Sequence, residues 1–582
     1  MTDHARRRAA GRFATLAAAA LLLGAAARLP AASPRDELLR FVPDDVGLCM
    51  VLQDLRGHTA RLLNSPFVAG LRASPMGTAL GQNKEAAHLV QVQAKLQNQF
   101  GLDWDRLRDD VLGEAVVFAY RPGPPGKPQQ DQGLVLVRAR DAKVLADLVA
   151  HFHRQQEKAG QLLELTKRDY EGVTYYRRVD KKETSYYCLR GPVLLFSGQE
   201  EMLRQALARE RTVPADAEPL VTKKLRELGL EQALFVLWLN PRALDAEFDA
   251  KAAQATPAEA PQRKAVALYW KALTSVGVAV ALDKELSVSL ALRGRLDRLP
   301  SSARRFLEKA SGPSEVWRAV PDNSLLALGA RLDAAALFEV VGDFMSKDSR
   351  DSLTAQLNRL LGAALGTDFV KEVLPALGPD WGLCVLAPPA QEKGWLPQVL
   401  VALRVRPGAA AAPADQALLS AVNFSAMLAV VTHNHQHPDR PLSLKVVVQD
   451  DKKIKYLQGE RCFPPGLQPA FSLQGGYLVL ATSLEIVRRF GIPTGGDTGP
   501  HAPFPLLRVS FKDCRAYLKE RREPLARALA EKNNVSPEEA GKWLDGVQEG
   551  LQHIDRLELR QRTTPGQVTF TLALQPSQPL KK

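Results

Sequence analysis

The sequence predicts an α+β chain built as two tandem homologous halves, each with a mainly antiparallel sheet packed against helices. Three observations carry that expectation. Short motifs recur in the same order in both parts of the 582 residues. Runs rich in Val, Leu and Tyr come in hairpin-linked groups instead of strict strand–helix–strand alternation. A composition of 46% hydrophobic and 24% charged residues is that of a globular chain, which excludes a disordered or fibrous one.

The motifs mark the halves. Glu37-x-x-Arg40-x-Val42-Pro43-Asp44-Asp45 returns as Glu315-x-x-Arg318-x-Val320-Pro321-Asp322-Asn323. Gly101-x-Asp103-Trp104, followed by Leu112-Gly113, returns as Gly366-x-Asp368-Phe369, followed by Leu377-Gly378. Gln132–Arg140 matches Gln398–Arg406, Gly191–Ser197 matches Gly476–Thr482, and Leu290–Leu292 matches Leu572–Leu574. The separations of 278, 265, 266, 285 and 282 residues drift as loop insertions would make them drift. The expected organisation is a signal segment over 1–32, a first α+β repeat over 34–298, a junction over 299–311 and a second α+β repeat over 312–577.

Ser33-Pro34-Arg35-Asp36 reads as an N-cap, a proline at the first helical position and an acidic first turn, so a helix starts there. Val42-Pro43 stops it, because the residue before proline avoids the α region. Strands follow at Val46–Leu52 and Leu325–Leu328. Asp103 and Asp368 each cap a helix that Leu-Gly closes before strands at Ala115–Tyr120 and Leu383–Leu386. Leu134–Val137 and Leu400–Leu403 are the strands next to them. Helix Ala142–Arg154 leads into short strands at Val173–Tyr176, Ser185–Leu189 and Val193–Phe196, and a further strand spans Ala233–Leu239. Each half closes on a hairpin: Val276–Leu282 with Leu286–Leu292, and Ile554–Arg560 with Val568–Leu574. Tyr120–Gln132, with Pro122, Pro124, Pro125 and Pro128, reads as an exposed hairpin loop. Ala250–Lys264 and Ala409–Gln416 read as loops or frayed helix.

Arg6, Arg7, Arg8 and Arg12 precede an apolar run from Phe13 to Ala27, the pattern of a secretory signal with small residues after it. The run is shorter than the roughly 20 residues a spanning helix needs. Cleavage at Ala25–Ala27 or Ala31-Ala32 gives an exported chain, periplasmic or extracellular, and an uncleaved segment is an N-terminal membrane anchor. Without residues 1–32 the net charge falls from +13 to +9. The remaining Lys and Arg are interspersed with acids, which argues against a nucleic-acid partner and leaves a weak attraction to anionic surfaces. Cys49, Cys188 and Cys384 sit in apolar runs, whereas Cys462 and Cys514 have more polar neighbours. Five cysteines with no C-x-x-C exclude a disulfide scaffold or a Cys-rich zinc module.

No local motif of a zinc protease, serine hydrolase, phosphate loop or dinucleotide fold is present. No catalytic residue and no cofactor are therefore expected. Three constellations invite chemistry. His433, His435 and His437 would share one side of a strand and supply three imidazoles to a metal, with His151 and His153 at the matching place in the first half. The competing reading is a polar helix end running into Pro438, which favours at most weak metal binding. Asp44-Asp45 and Asp322-Asn323 read as an acid pair or, more simply, as turn residues that bond the backbone. Arg138, Arg140, Arg404 and Arg406 stand at strand ends, as anion grips or as solvent-facing charges.

With its two Val-Pro-Asp lead-ins the chain resembles a family of exported bacterial proteins of unknown function, whose duplicated α+β units each open on Val-Pro-x-Asp. The resemblance covers most of residues 34–577, with Asn323 standing where the pattern has Asp. It implies export and duplication, and it brings no activity, cofactor or site residue. The expected role is a non-enzymatic binding or structural component of the cell envelope, partnered by a protein or another envelope component. The alternatives are a carrier of an apolar ligand such as lipid, and a hydrolase or metal-dependent enzyme without a local motif.

Overall fold

The computed structural model describes residues 33–580, apart from 83–87, 89–90, 92, 95–96, 98–100, 215–216, 257–258, 390, 392–393, 407–413, 450–451 and 493–501. The expected signal segment lies outside the described residues, as does most of the loop expected at Ala409–Gln416.

Helix α1 (Pro34–Leu39) is capped as the sequence predicts: the Ser33 side chain accepts from the Asp36 amide, and proline occupies the first turn. The first ten strands are β1 Leu48–Gln53, β2 Ala115–Arg121, β3 Gln132–Arg138, β4 Leu162–Tyr170 and β5 Val173–Asp180, then β6 Thr184–Arg190, β7 Val193–Ser197, β8 Phe235–Leu239, β9 Leu273–Leu282 and β10 Leu286–Gly294. The next ten are β11 Leu326–Arg331, β12 Leu377–Leu386, β13 Gln398–Val405, β14 Leu442–Gln449 and β15 Lys452–Gly459, then β16 Ala470–Gln474, β17 Tyr477–Ala481, β18 Phe504–Ser510, β19 Ile554–Thr564 and β20 Gln567–Pro576. The helices that pack on these strands include α2 (Ala142–Lys158), α3 (Glu200–Thr212), α4 (Ala414–Gln436) and α5 (Leu484–Arg489).

All strand pairs are antiparallel. The first set runs β4-β5-β6-β7-β3-β2-β1-β8-β9-β10 across the sheet. The second runs β14-β15-β16-β17-β13-β12-β11-β18-β19-β20, the same order of pairings. Pairing of β10 with β20 joins them into one 20-stranded sheet. Open sheets rarely exceed about 10 strands; here two sets of ordinary size meet edge to edge, and each covers an edge the other would leave open.

Registers allow positions to be matched strand by strand. Starting from the Val-Pro lead-ins and counting across β1/β11, β8/β18 and β9/β19, the counterpart of Ser289 is Thr571. These two residues are also directly opposite each other in the β10–β20 pair, and their hydroxyls lie 2.9 Å apart. The joint is thus centred on a position paired with its own counterpart, as in an isologous contact. Around it, Arg560 holds Glu285 at 2.8 Å and the Gln567 amide donates to the Leu228 carbonyl at 3.1 Å.

Side chains pack on both sheet faces. Leu38, Leu39, Met202 and Leu203 of α1 and α3 cover one face of the first ten strands, and Leu145 and Leu148 of α2 cover the other. In the second ten, Val487 of α5 and Leu418 of α4 take those places.

Several expectations are narrowed or corrected. Of the two readings of Ala250–Lys264, loop or frayed helix, helix holds for most of it, in Asp245–Ala253 and Ala260–Ala272. Leu377-Gly378 lies inside β12 instead of closing a helix ahead of it. Gly191 corresponds to Gly475, one residue earlier than the sequence match, because Val193 faces Arg138 as Tyr477 faces Arg404. Both glycines have positive φ, 56° and 59°, in two-residue hairpin turns where glycine meets no steric cost.

Candidate functional site

Most of the charged residues singled out from sequence meet a partner within the fold, while Asp322 and Asn323 lie exposed in a turn. Asp44 pairs with Arg209 of α3 at 2.6 Å and Asp45 with Arg121 of β2 at 2.7 Å, so the lead-in acids pin the chain to its neighbours. Arg138 holds Glu37 at 2.6 Å and Glu114 at 3.1 Å, while Arg140 approaches Asp110 at 3.5 Å. In the second set Arg404 approaches Glu315 at 3.8 Å and lies 4.9 Å from the Tyr477 ring centroid, and Arg406 meets Asp333 at 2.7 Å. Arg138 and Arg406 are intramolecular ties, whereas Arg140 and Arg404 make only longer contacts and Arg140 is largely exposed. The lead-in glutamates Glu37 and Glu315 hold counterpart arginines.

The histidines do not share a strand face. His433 and His435 lie in the last turns of α4, where residues two apart point to different sides. The His433 and His437 rings are 4.9 Å apart, and His433 Nε2 sits 3.0 Å from the Arg440 carbonyl and 3.6 Å from Cys462 Sγ. Among the described residues no group of three His, Cys, Asp or Glu side chains is placed to hold a metal ion. The expected match with His151 and His153 also fails. A Cβ on Gly101 would reach within 2.7 Å of the His151 ring, and one on Gly366 within 2.8 Å of the Phe424 ring. His151 therefore occupies the place of Phe424, and His153 that of Ala426; α4 begins alongside α2 and runs further.

Between α4 and strands β13, β15, β16 and β17 lies an apolar cleft of about 390 Å³. Its floor is Val399, Val401, Leu457, Phe471 and Leu480, and its helix side is Val422, Ser425 and Ala426. No lining residue is titratable, and the volume is at the lower end of small-molecule sites. The floor is one sheet face, because Lys455 pairs with Phe471, Leu457 with Leu444, and Phe471 with Leu480. Lys455 is half-buried on that face and donates from Nζ to Asn423 Oδ1 of α4 at 2.7 Å.

The matching place in the first set is filled. Tyr187 stands where Phe471 does, and Tyr176, the counterpart of Lys455, stacks on it at 4.9 Å. His153 packs at 5.3 Å from the Tyr187 ring, where α4 has Ala426. Arg178, the counterpart of Leu457, is 5% exposed, lies 5.6 Å from the Phe152 ring centroid and binds Asp180 at 2.7 Å and Ser185 at 3.0 Å. Burial, and then the Arg178 charge, hold the His153 imidazole below its usual range, so the plug is neutral at His153 at neutral pH. Exchange of Phe152, His153, Tyr176 and Arg178 for Ser425, Ala426, Lys455 and Leu457 removes the plug and leaves the cleft.

A second, larger groove of about 790 Å³ beside α1 has a mixed lining of charged and apolar residues. Its charges compensate one another, Arg56 with Glu114 at 3.0 Å and Arg61 with Asp54 at 3.1 Å, which makes it the weaker candidate. The five cysteines are free. Burial pushes the thiol of Cys49 up to about 12 and those of Cys188 and Cys384 to about 11, which keeps them unreactive hydrophobes.

Sequence reasoning placed Val399, Val401 and Leu480 on matched strands but gave none of the cleft residues a functional role. The signal was present in the comparison of the halves, but it required aligning α2 with α4 on Gly101 and Gly366 instead of on histidines. Among the described residues no helix is long and apolar enough to cross a membrane. No curated protein matches the chain. The family described as protein of unknown function (DUF3352) matches residues 69–396, more than half of the chain, and the chain belongs to that family.

Proposed function

We propose that this is an exported, internally duplicated protein of the cell envelope that acts by binding, and that its second half carries an apolar ligand in the cleft under α4. The observation that carries the ligand reading is the unplugged cleft: an apolar floor, small residues on the helix above it, and a filled counterpart in the first half. Divergence of one copy toward ligand binding accounts for that asymmetry. Duplication is supported by the same pairing order in the first and the second ten strands, by Asp103 and Asp368 capping at 2.7 Å and 2.9 Å, and by the self-matched Ser289–Thr571 pair. Export rests on the basic and apolar segment before Ala32. Non-enzymatic action rests on a cleft without titratable groups in its lining.

The test is organic extraction of the full-length protein purified from its native host, followed by mass spectrometry of what is released. The expected result is an apolar compound in stoichiometric amount, lost in Ala426→Trp, whose indole occupies the space that His153 fills in the first half. A chain that is folded, carries nothing and takes up no apolar probe overturns the ligand reading. N-terminal sequencing of the same sample tests export: a mature chain starting between Ala27 and Asp36 is expected, and an intact Met1 in the cytoplasmic fraction contradicts it.

A further inference from the structure

The cleft face is apolar across five strands except along β15. Leu444, Val446 and Val448 of β14 continue it outward, and opposite them stand Leu457, Lys455 and Lys453. Val446 and Val448 are 56% and 62% exposed, so the apolar surface runs on to the sheet edge. Lys455 directly neighbours Phe471 of the cleft floor. Its ammonium has three donors, of which the contact with Asn423 uses one. Among the described residues no carboxylate lies within ion-pair distance of Lys455, whereas Arg178, Arg406 and Arg508 each meet one. Its counterpart in the plugged half is Tyr176, which is neutral and stacked. A cation without a carboxylate partner among the described residues thus stands beside the open cleft, whereas the plugged half has neutral Tyr176 at that position and its nearby Arg178 is buried and paired with Asp180.

We propose that the cleft takes a single-chain amphiphile with an anionic head, its tail under α4 against Val401, Leu480 and Phe471 and its head on Lys455. The proposal rests on the reading of the cleft as a ligand site and names the class of ligand. The volume, about 390 Å³, suits one acyl chain better than two. An ammonium is a point charge that accepts a carboxylate or a phosphate alike, so the shared requirement is the anion.

The experiment titrates the full chain with three probes sharing one tail: palmitate, hexadecyl phosphate and hexadecanol. Either anion should bind about tenfold more tightly than the alcohol, the scale of a hydrogen bond to a charged partner. In Lys455→Met that preference should vanish, the two anions falling to the affinity of hexadecanol, and Lys455→Arg should retain it. Thermal unfolding of each variant checks that the fold is intact. Equal affinity for all three probes in the natural chain, or a preference that survives Lys455→Met, overturns the head-group assignment and leaves the cleft standing. Binding of none of them, or binding unaffected by Ala426→Trp, overturns the cleft reading itself.

Discussion

Tyr477→Phe is the sharpest test of how the cleft floor is held. Tyr477 is fully buried on β17, on the sheet face opposite the cleft, and its hydroxyl donates to Asp380 Oδ2 at 2.6 Å. Asp380 is 5% exposed, its Oδ2 takes one further bond from the Glu315 amide at 3.0 Å, and its Oδ1 has no hydrogen-bond partner among the described residues. Deleting one hydroxyl keeps the ring against Phe490 and Arg404 but leaves a buried carboxylate with a single donor. A hydrogen bond to a charged group contributes roughly 1.5–3 kcal/mol, so the expected cost is about 2 kcal/mol. Urea unfolding followed by tryptophan fluorescence measures it, read as a fall in midpoint at unchanged slope. The pH dependence gives a second readout. Burial, and then Asp380, hold the Tyr477 hydroxyl well above its ordinary 10.0. The unfolded chain therefore loses this proton first, and the contribution is complete below about pH 10 and declines as pH rises beyond it. Tyr477→Phe removes that part of the alkaline loss. A cost below about 0.5 kcal/mol, the scale of an ordinary surface change, refutes the assignment of this bond as a principal tie of the floor.

Three further outcomes rest on particular contacts. Ser289→Val and Thr571→Val should each cost about 1 kcal/mol, and the double variant less than their sum, because both groups of one hydrogen bond are then removed together; strict additivity in urea unfolding contradicts the self-matched joint. Isothermal titration of the mature protein with Zn²⁺ should show at most weak binding that His435→Ala leaves unchanged, since His435 lies off the His433–His437 side of α4. Stoichiometric binding tighter than micromolar that is lost in that variant contradicts the geometry. On the acid side, the depressed imidazole of His153 means the first-half plug is complete above the ordinary value of 6.5 and weakens as pH falls; His153→Phe should remove that acid sensitivity, and an unchanged acid unfolding profile is the opposing result.

Local signals in the sequence were sound where one residue type has one job. Ser33-Pro34 and Asp103 cap helices, Val-Pro ends one, and glycines mark the hairpin turns. Pairwise charge roles were not legible, because Arg138 meets Glu37 across 101 residues and Arg209 meets Asp44 across 165. The histidine match failed for a physical reason: identical side chains at similar spacing outweighed the backbone position that Gly101 and Gly366 define by close approach. The cleft was hidden for a related one. It exists through what α4 and β15 lack relative to α2 and β5, and a missing side chain leaves no motif. Ala250–Lys264 reads equally as loop or frayed helix from composition; its alanines and glutamines favour helix once Trp270 can stack on Phe248 at 3.9 Å, a contact between two separate helices.

The most direct measurement of the central claim is the stoichiometry of an apolar fluorescent probe on the folded full-length chain. One open cleft and one plugged counterpart predict a single site per chain, abolished by Ala426→Trp. Two equivalent sites in the natural chain, or a single site indifferent to Ala426→Trp, contradict the account.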